Sequence, residues 1–344
     1  SAAYGSDAVA GVVNFVMNKD FEGARIDTNY SFYQHNNDHD IQSLLSEFAA
    51  GNPSQYSVPN GSVTDGESID ITGMIGGYFG DDKGHFMAYA GYQKTNQILQ
   101  GDRDYSQCAL GTRNSGTEFT CAGSSTNQFT NILDFTGSLP DGFWARVDPN
   151  TGTFAARDFV SDTFNYNPYN HYQRPNERYN FGAFVDYDVN ATTSVYSELT
   201  FTQNETNSQI APSGVFGYGV GGGAGGLNCD NPFLSAQQAA YIGCSATDIA
   251  DGNVVGLGDL IALRRNVEGG PRNQDIRHSS WRGLVGVQGQ VADTFLNYDV
   301  YASFARVTRA ETYNNDLSIR KLSAALYAVD DGSGNIVCNI NNDD

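Results

Sequence analysis

Apolar and polar residues alternate with a period of two along seven separate stretches of the chain. Such alternation places apolar side chains on one face of a β-strand and polar side chains on the other. In the clearest case, 178–189, Phe181 and Val185 share one face while Arg178 and Asp186 share the other. We therefore expect an all-β, antiparallel fold. The predicted strands cover 24–33, 67–79, 86–98, 178–189, 194–204, 281–291 and 295–306.

The connections between these strands fall into two classes of length. Tight turns cover 80–84, 190–193 and 292–294. Long connections cover 35–66, 99–177, 208–277 and, after the last strand, 310–344. Because short and long connections alternate, a meander would carry all tight turns at one end and all long loops at the other. Outer-membrane barrels show this asymmetry, but they need an even number of at least 8 strands, so we predict an incomplete portion of a transmembrane β-barrel.

The composition is compatible with a barrel, excludes a helical membrane protein and argues against a nucleic-acid-binding protein. The 344 residues are 40% hydrophobic, but the mean hydropathy is -0.41 and no apolar run is long enough for a membrane-spanning helix. The 20 Tyr, 20 Phe and 39 Gly suit aromatic girdles, turns and close strand packing. A net charge of -20 argues against a nucleic-acid partner, because a polyanion would be repelled.

Four of the five cysteines form two pairs that are close in sequence. Cys108 lies near Cys121 and Cys229 lies near Cys244, in polar, glycine-containing stretches without a nearby histidine. This spacing predicts two local disulfides rather than a zinc site, and hence an oxidising compartment such as the periplasm or the cell surface. Cys338 is left over, either as a free thiol or with a partner beyond the end of the sequence.

The first residues, SAAYGSDAVAGVVNFVMNK, contain a small-residue turn followed by a stretch that is apolar on both faces. This segment resembles the end of the plug domain of TonB-dependent outer-membrane receptors. The matching plug-end positions are Tyr4, Gly5, Ser6, Asp7 and Gly11. Further similar segments are FNYNPYNHYQRPNERYNFGAFVDYDVN, QIAPSG, NCDNPFLSAQQAAYIGC, RRNVEGGPRNQDIRHSSWRG and DDGSGNIVC. The resemblance divides the chain into a plug end, 1–20, and the N-terminal part of a barrel, 21–344.

The resemblance implies active uptake of a scarce ligand, such as a siderophore or an oligosaccharide, across the outer membrane of a Gram-negative cell. The implied partners are the ligand, outer-membrane lipid, and TonB with its inner-membrane energising complex. TonB would act through an N-terminal region that this sequence lacks, as it lacks most of the plug and the later strands. The long loops would be extracellular. Because no bond is made or broken, the resemblance implies neither catalytic residues nor a cofactor.

Two groups of residues are candidates for ligand binding. Tyr166, Tyr169 and Tyr172 lie in an aromatic, asparagine-rich stretch that could stack on a flat ligand, although packing that anchors the next strand is the favoured interpretation. The other group, Arg264, Arg265 and Arg272, is the main basic concentration of the chain. It could hold an anionic ligand or pair with the surrounding acidic residues, and the sequence leaves both open.

Other motifs point more weakly to chemistry. The stretch 35–40, HNNDHD, offers metal-ligand residue types but has no second cluster to complete a site, so no metal site is predicted. The glycine pattern in 217–226 lacks a βαβ context, and 330–335 lacks the late glutamate of a calcium loop. No nucleophile elbow, Walker A or H-E-x-x-H motif occurs, so an enzyme is not expected. The alternative function is a soluble or surface-anchored β-rich ligand-binding protein.

Overall fold

The computed structural model describes residues 17–139, 142–218, 226–292 and 294–341. Within these ranges the chain is mostly β, and its sheets are built from antiparallel pairs. The all-β, antiparallel prediction is therefore confirmed. The predicted plug-end motif lies outside the described residues; it comprises Tyr4, Gly5, Ser6, Asp7 and Gly11.

Seven long strands form a single sheet. They are β1 (Gly23–Asn37), β2 (Gly61–Phe79), β3 (Gly84–Thr95), β4 (Asn176–Asn190), β5 (Thr193–Pro212), β6 (Pro271–Gln290) and β7 (Asn297–Asn314). Their order across the sheet is β1-β2-β3-β4-β5-β6-β7, so each strand pairs with the one before it. All seven predicted strands are present, and the meander is confirmed.

Several strands extend further towards the long connections than the sequence predicts. β2 begins at Gly61 rather than at 67, and β5 continues to Pro212 rather than stopping at 204. The first and third long connections are correspondingly shorter than predicted, at 38–60 and 213–270, whereas the second, at 96–175, keeps about its predicted length. These extensions, such as GSVTDG in β2, are largely polar on both faces, so the alternation that identifies a half-buried strand stops before the strand does.

One face of the sheet is apolar across all seven strands. Paired residues of an antiparallel sheet share a face, and the register aligns Ile71, Tyr92 and Tyr179 across three strands. The same face continues through Phe201 to Trp281. Its large side chains are solvent-exposed rather than covered by other parts of the described chain. Examples from six of the strands are Ile26, Ile75, Phe181, Leu199, Val285 and Phe304.

The opposite face is polar, and the segment before β1 lies against it. The ammonium group of Lys19 pairs with the carboxylate of Glu198 on β5 and lies 5.4 Å from the centre of the Phe184 ring on β4. Glu198 also accepts a 3.0 Å hydrogen bond from Arg282 on β6. The chain therefore reaches β4 and β5 across the polar face before it enters the sheet at β1.

Tight turns and long connections lie at opposite ends of the sheet. β2 and β3 are joined through Gly80, Asp81 and Asp82, which all have positive φ, at 65°, 57° and 62°. Between β4 and β5, Asn190 accepts a 3.0 Å hydrogen bond from the backbone N–H of Thr192. Glycine, aspartate and asparagine are the residues that tolerate such turn conformations. The predicted segregation of short and long connections is thus confirmed.

The described residues of the long connections and of the segment after β7 form a structured layer, which we call the loop layer (38–60, 96–139, 142–175, 213–218, 226–270 and 315–341). Its helices are α1 (Gln42–Gly51), α2 (Ala236–Tyr241), α3 (Ala246–Asp251) and α4 (Ile319–Leu326). One five-stranded sheet has the order Gly214–Tyr218, Leu260–Arg265, Asn131–Asp134, Trp144–Val147, Phe154–Ala155. Two-stranded pairs are Ile98–Leu99 with His171–Gln173, Ala109–Arg113 with Glu118–Ala122, Leu227–Asn228 with Val254–Val255, and Ala328–Asp330 with Ile336–Cys338.

The hydrophobic cores of the described chain lie in the loop layer. One core packs around the five-stranded sheet and includes Ile132, Ala145 and Val215. A second core joins Leu45 and Phe48 of α1 to the disulfide-linked hairpin that follows residue 108. The loop layer thus packs like a small globular domain, whereas the seven-stranded sheet leaves its apolar face exposed.

Candidate functional site

Both predicted disulfides are present and both lie in the loop layer. Cys108 bonds to Cys121 across a short hairpin, and Cys229 bonds to Cys244 after α2. Cys338 is half-buried and forms no disulfide within the part of the chain that the structure describes. Each disulfide stabilises its own segment of the loop layer, because a cross-link over 13 or 15 residues restricts the unfolded chain.

The aromatic, asparagine-rich stretch is largely a packing element. Asn165 is buried and donates from its side chain to the backbone carbonyls of Gln107 and Gln55, at 2.9 and 3.1 Å. Tyr169 stacks on Phe164 with ring centres 5.7 Å apart. These contacts match the interpretation of the stretch as an anchor for the following strand. Tyr166 differs, because it lines a surface pocket shared with two arginines.

Arg265 is a buried cation without a nearby carboxylate in the part of the chain that the structure describes. Its guanidinium donates to the backbone carbonyls of Thr126 and Pro212, at 3.2 and 3.0 Å. It also lies 4.7 and 5.0 Å from the ring centres of Phe164 and Phe216. Burial, together with the positive charge of Arg272, lowers the pKa of Arg265 to about 10. The charged form is therefore under-compensated and would be stabilised by an anion.

Arg272 lies at the start of β6 and faces the same pocket. Its Nε donates to the carbonyl of Ala211 at 3.0 Å, and no ion pair to it occurs among the described residues. The remaining pocket lining is mixed in character, with Ser124, Tyr166, Asn170, Ile210, Ala211 and Phe216 around the two arginines. We call this site the arginine pocket. Two guanidiniums, one amide, one phenol and aromatic walls suit a flat ligand that carries a carboxylate or phosphate.

Arg264 does not belong to the arginine pocket. It forms an ion pair with Glu268 at 2.5 Å, four residues along the chain. Because neighbouring strand residues point to opposite faces, Arg264 and Arg265 diverge. The structure thus separates the three candidate arginines, one paired with an acidic neighbour and two facing the pocket. Tyr172 is exposed and contacts Tyr105, outside the pocket.

A second cluster lies where the loop layer meets β1. His35, near the end of β1, and His39, just after it, both contact the buried carboxylate of Asp104. Burial raises the pKa of Asp104, but hydrogen bonds from His39 and His35 outweigh burial and hold the pKa below its usual range. The sequence pointed to the stretch 35–40, which holds both histidines, but not to the third residue, because Asp104 is 65 residues from His39. Only the DRDYS stretch around Asp104, unremarkable by itself, could have drawn attention to it.

Comparisons with protein-family models, curated proteins and solved structures find no match to this chain. Within the described residues, no helix is both long enough and apolar enough to cross a membrane. The physical properties of the sheet and the loop layer therefore indicate the function.

Proposed function

We propose that this chain is part of a TonB-dependent outer-membrane receptor that takes up a scarce ligand by proton-motive-force-driven transport. The observation that carries the proposal is the exposed apolar face of the seven-stranded sheet. Along β4, apolar positions run from Tyr179 to Tyr187, about 27 Å at roughly 3.4 Å per residue. A tilt of about 40° reduces this to a height near 20 Å, similar to the roughly 25 Å apolar band of outer-membrane barrels.

The area of this face also supports contact with lipid. Seven strands about 4.8 Å apart span roughly 34 Å, so the apolar face covers on the order of 900 Å². The largest apolar patch on a typical soluble monomer is about 300–600 Å². A face of this size would be unfavourable in water but would stabilise the protein in a bilayer.

A TonB-dependent receptor also has a plug inside its barrel, and the polar face of the sheet supports this part of the proposal. The segment before β1 follows the polar face, where Lys19 reaches Glu198, instead of the apolar one. An element that precedes the first barrel strand and lies in the lumen would do the same. Pulling on such an element through TonB would open a path along the polar face.

The loop layer supplies the ligand-binding part of the proposal. It lies at the end of the sheet opposite the tight turns, which in an outer-membrane receptor is the extracellular end. The arginine pocket opens in this layer, with Arg265 and Arg272 lacking carboxylate partners among the described residues. We propose that a ligand with a carboxylate or phosphate group binds there before transport.

The test compares two arginine substitutions on the same strand. Val285→Arg puts a charge in the apolar band, where a cation costs about 2–4 kcal/mol in a bilayer, whereas Ser280→Arg puts it on the polar face. In a complete receptor that contains this chain, we expect the wild-type protein and Ser280→Arg to fractionate with outer membrane as heat-modifiable species, and Val285→Arg to lose most of this form. A wild-type protein that is monomeric without detergent and unfolds cooperatively would overturn the proposal.

That last outcome would favour the second candidate function, a soluble or surface-anchored β-rich ligand-binding protein. The observation in its favour is the loop layer, whose two hydrophobic cores resemble those of a small globular domain. In that case the arginine pocket would still bind its ligand, but the apolar face would need a protein partner in place of lipid.

A further inference from the structure

Two histidines and one aspartate converge at the junction between β1 and the loop layer. His39 Nδ1 lies 3.1 and 3.0 Å from the two carboxylate oxygens of Asp104, and His35 Nε2 lies 3.3 Å from one of them. One ligand atom from each residue can be chosen so that all three lie within 4.8 Å of one another. Imidazole nitrogen and carboxylate oxygen are the preferred ligands of Zn²⁺ and related divalent ions.

The distances between the imidazole nitrogens and the carboxylate oxygens of Asp104 suit ligands of one shared ion. With bonds of about 2.0–2.2 Å, ligand atoms at tetrahedral or octahedral angles lie roughly 3.0–3.5 Å apart. The observed separations of 3.0 to 3.3 Å fall in this range. The ligand nitrogens of the two imidazoles, which lie within 4.8 Å of each other, would need to draw closer together.

Asp104 is held in place independently of the histidine rings. Its side chain is fully buried, and its two oxygens accept backbone N–H groups of His39 and Tyr105 at 2.9 and 2.8 Å. Its own backbone N–H donates to the side chain of Asn37 at 2.9 Å. Supporting hydrogen bonds of this kind orient carboxylate ligands in metal sites.

The histidines are also oriented, and one of them is open to solvent. The Tyr105 ring meets both imidazoles edge-on, with ring centres 5.2 Å from His35 and 6.0 Å from His39. The His39 side chain is 53% exposed, which leaves a route for an ion to enter. Three protein ligands leave a fourth position for water, an arrangement found in accessible zinc sites.

We propose that His35, His39 and Asp104 bind a divalent transition-metal cation, with Zn²⁺ as its representative. The two imidazoles already converge on one carboxylate through hydrogen bonds, and a bound ion would engage all three groups at once. The bound ion would tie the end of β1 to the second long connection. This inference does not depend on transport or on lipid contact.

The test uses the untagged full chain, stripped of metal with EDTA and titrated with ZnCl₂ against a chromogenic chelator. We expect one tightly bound ion per chain, and a Co²⁺ adduct whose visible absorption shows nitrogen and oxygen ligands. His39→Gln and His35→Gln should each weaken Zn²⁺ binding at least tenfold. His278→Gln, on β6 and outside the cluster, is the matched control and should bind as the wild type does.

Asp104→Asn should abolish tight binding, but it alters a buried residue. If that variant fails to fold, the double variant His35→Gln/His39→Gln serves instead, with far-UV circular dichroism in EDTA confirming its fold. Zn²⁺ binding by the double variant equal to that of the wild type would overturn the proposal. So would an equal loss of binding in His278→Gln, because it would show that surface histidines bind the ion adventitiously.

Discussion

Arg103 donates hydrogen bonds from its two terminal nitrogens to the two carboxylate oxygens of Asp65, at 2.7 and 2.5 Å. Arg103 is 3% exposed and Asp65 lies in the outer extension of β2, so this pair joins the sheet to the second long connection. A buried guanidinium left without its partner is strongly destabilising. We expect Asp65→Asn to lower the local free energy of opening around 100–106 by about 3 kcal/mol.

Native-state hydrogen exchange with mass spectrometry measures this effect. Amide exchange in peptides that cover 100–106 should be roughly a hundredfold faster in the variant than in the wild type. The control is Glu118→Gln, which removes an exposed pair with Arg113 and should leave exchange there unchanged. Unaltered protection in Asp65→Asn would show that the pair does not hold the connection to the sheet.

Acid should destabilise the five-stranded sheet of the loop layer through Asp134. This buried carboxylate accepts five hydrogen bonds, from the backbone N–H and hydroxyl of both Thr136 and Ser138 and from the N–H of Leu139. Burial raises the pKa of Asp134, but the hydrogen bonds from Ser138 and Thr136 outweigh it and hold the pKa well below its usual range.

The folded state therefore binds the proton more weakly than the unfolded state. The stabilisation is complete above the unfolded pKa of about 4 and is lost as the pH falls below it. We expect the urea midpoint followed by Trp144 fluorescence, in a Trp281→Phe background, to fall between about pH 4 and pH 2. Asp134→Asn should be less stable at pH 7 and lose this acid dependence, whereas Asp251→Asn, at an exposed site, should keep it. A wild-type acid profile in Asp134→Asn would contradict the assignment.

The seven strands could be predicted from the sequence because their central parts face two different environments. In β4 the alternation from Tyr179 to Tyr187 is nearly unbroken, and the structure pairs those residues as expected. The outer extensions could not be predicted, because strand segments that are polar on both faces, such as the start of β2, resemble loops. The disulfides could be predicted since their cysteines are close in sequence.

The candidate sites depended on contacts that no local pattern contains. Sequence alone could not show that Arg264 pairs with Glu268 while Arg265 turns towards Arg272, because strand direction and loop packing decide which way each side chain faces. For the same reason the two histidines at the end of β1 had no visible third ligand until the fold brought Asp104 to them.

Arg265 and Arg272 of the arginine pocket should bind anions, whereas Arg264 should not. We expect Arg272→Gln to weaken binding of citrate or inorganic phosphate about tenfold or more at low ionic strength, because a hydrogen bond to a charged group contributes about 1.5–3 kcal/mol. Arg264→Gln is the matched control, since Glu268 already neutralises Arg264. Isothermal titration calorimetry measures both. Equal losses in the two variants would indicate a general effect of charge instead of a pocket.

Two tyrosines on the polar face of the sheet lie over glycines in the neighbouring strand. Tyr89 pairs directly with Gly182, where an added Cβ would lie 2.2 Å from the tyrosine ring. Tyr196 covers Gly286 in the same way, with a Cβ distance of 2.4 Å. Aromatic rings that cover strand glycines restore the side-chain packing that glycine lacks.

Gly182→Ala should therefore destabilise the sheet by about 1–2 kcal/mol, because the methyl group forces Tyr89 out of place. Gly283→Ala is the matched control, since an added Cβ there meets nothing within 4 Å. That variant should be neutral or slightly more stable, because alanine restricts the unfolded chain. Urea unfolding in detergent, followed by the fluorescence of Trp281 in a Trp144→Phe background, measures the sheet in both variants. If Gly182→Ala and Gly283→Ala shift the midpoint equally, the tyrosine rings do not pack on the glycines as described, and polar-face packing contributes nothing specific to the register of the sheet.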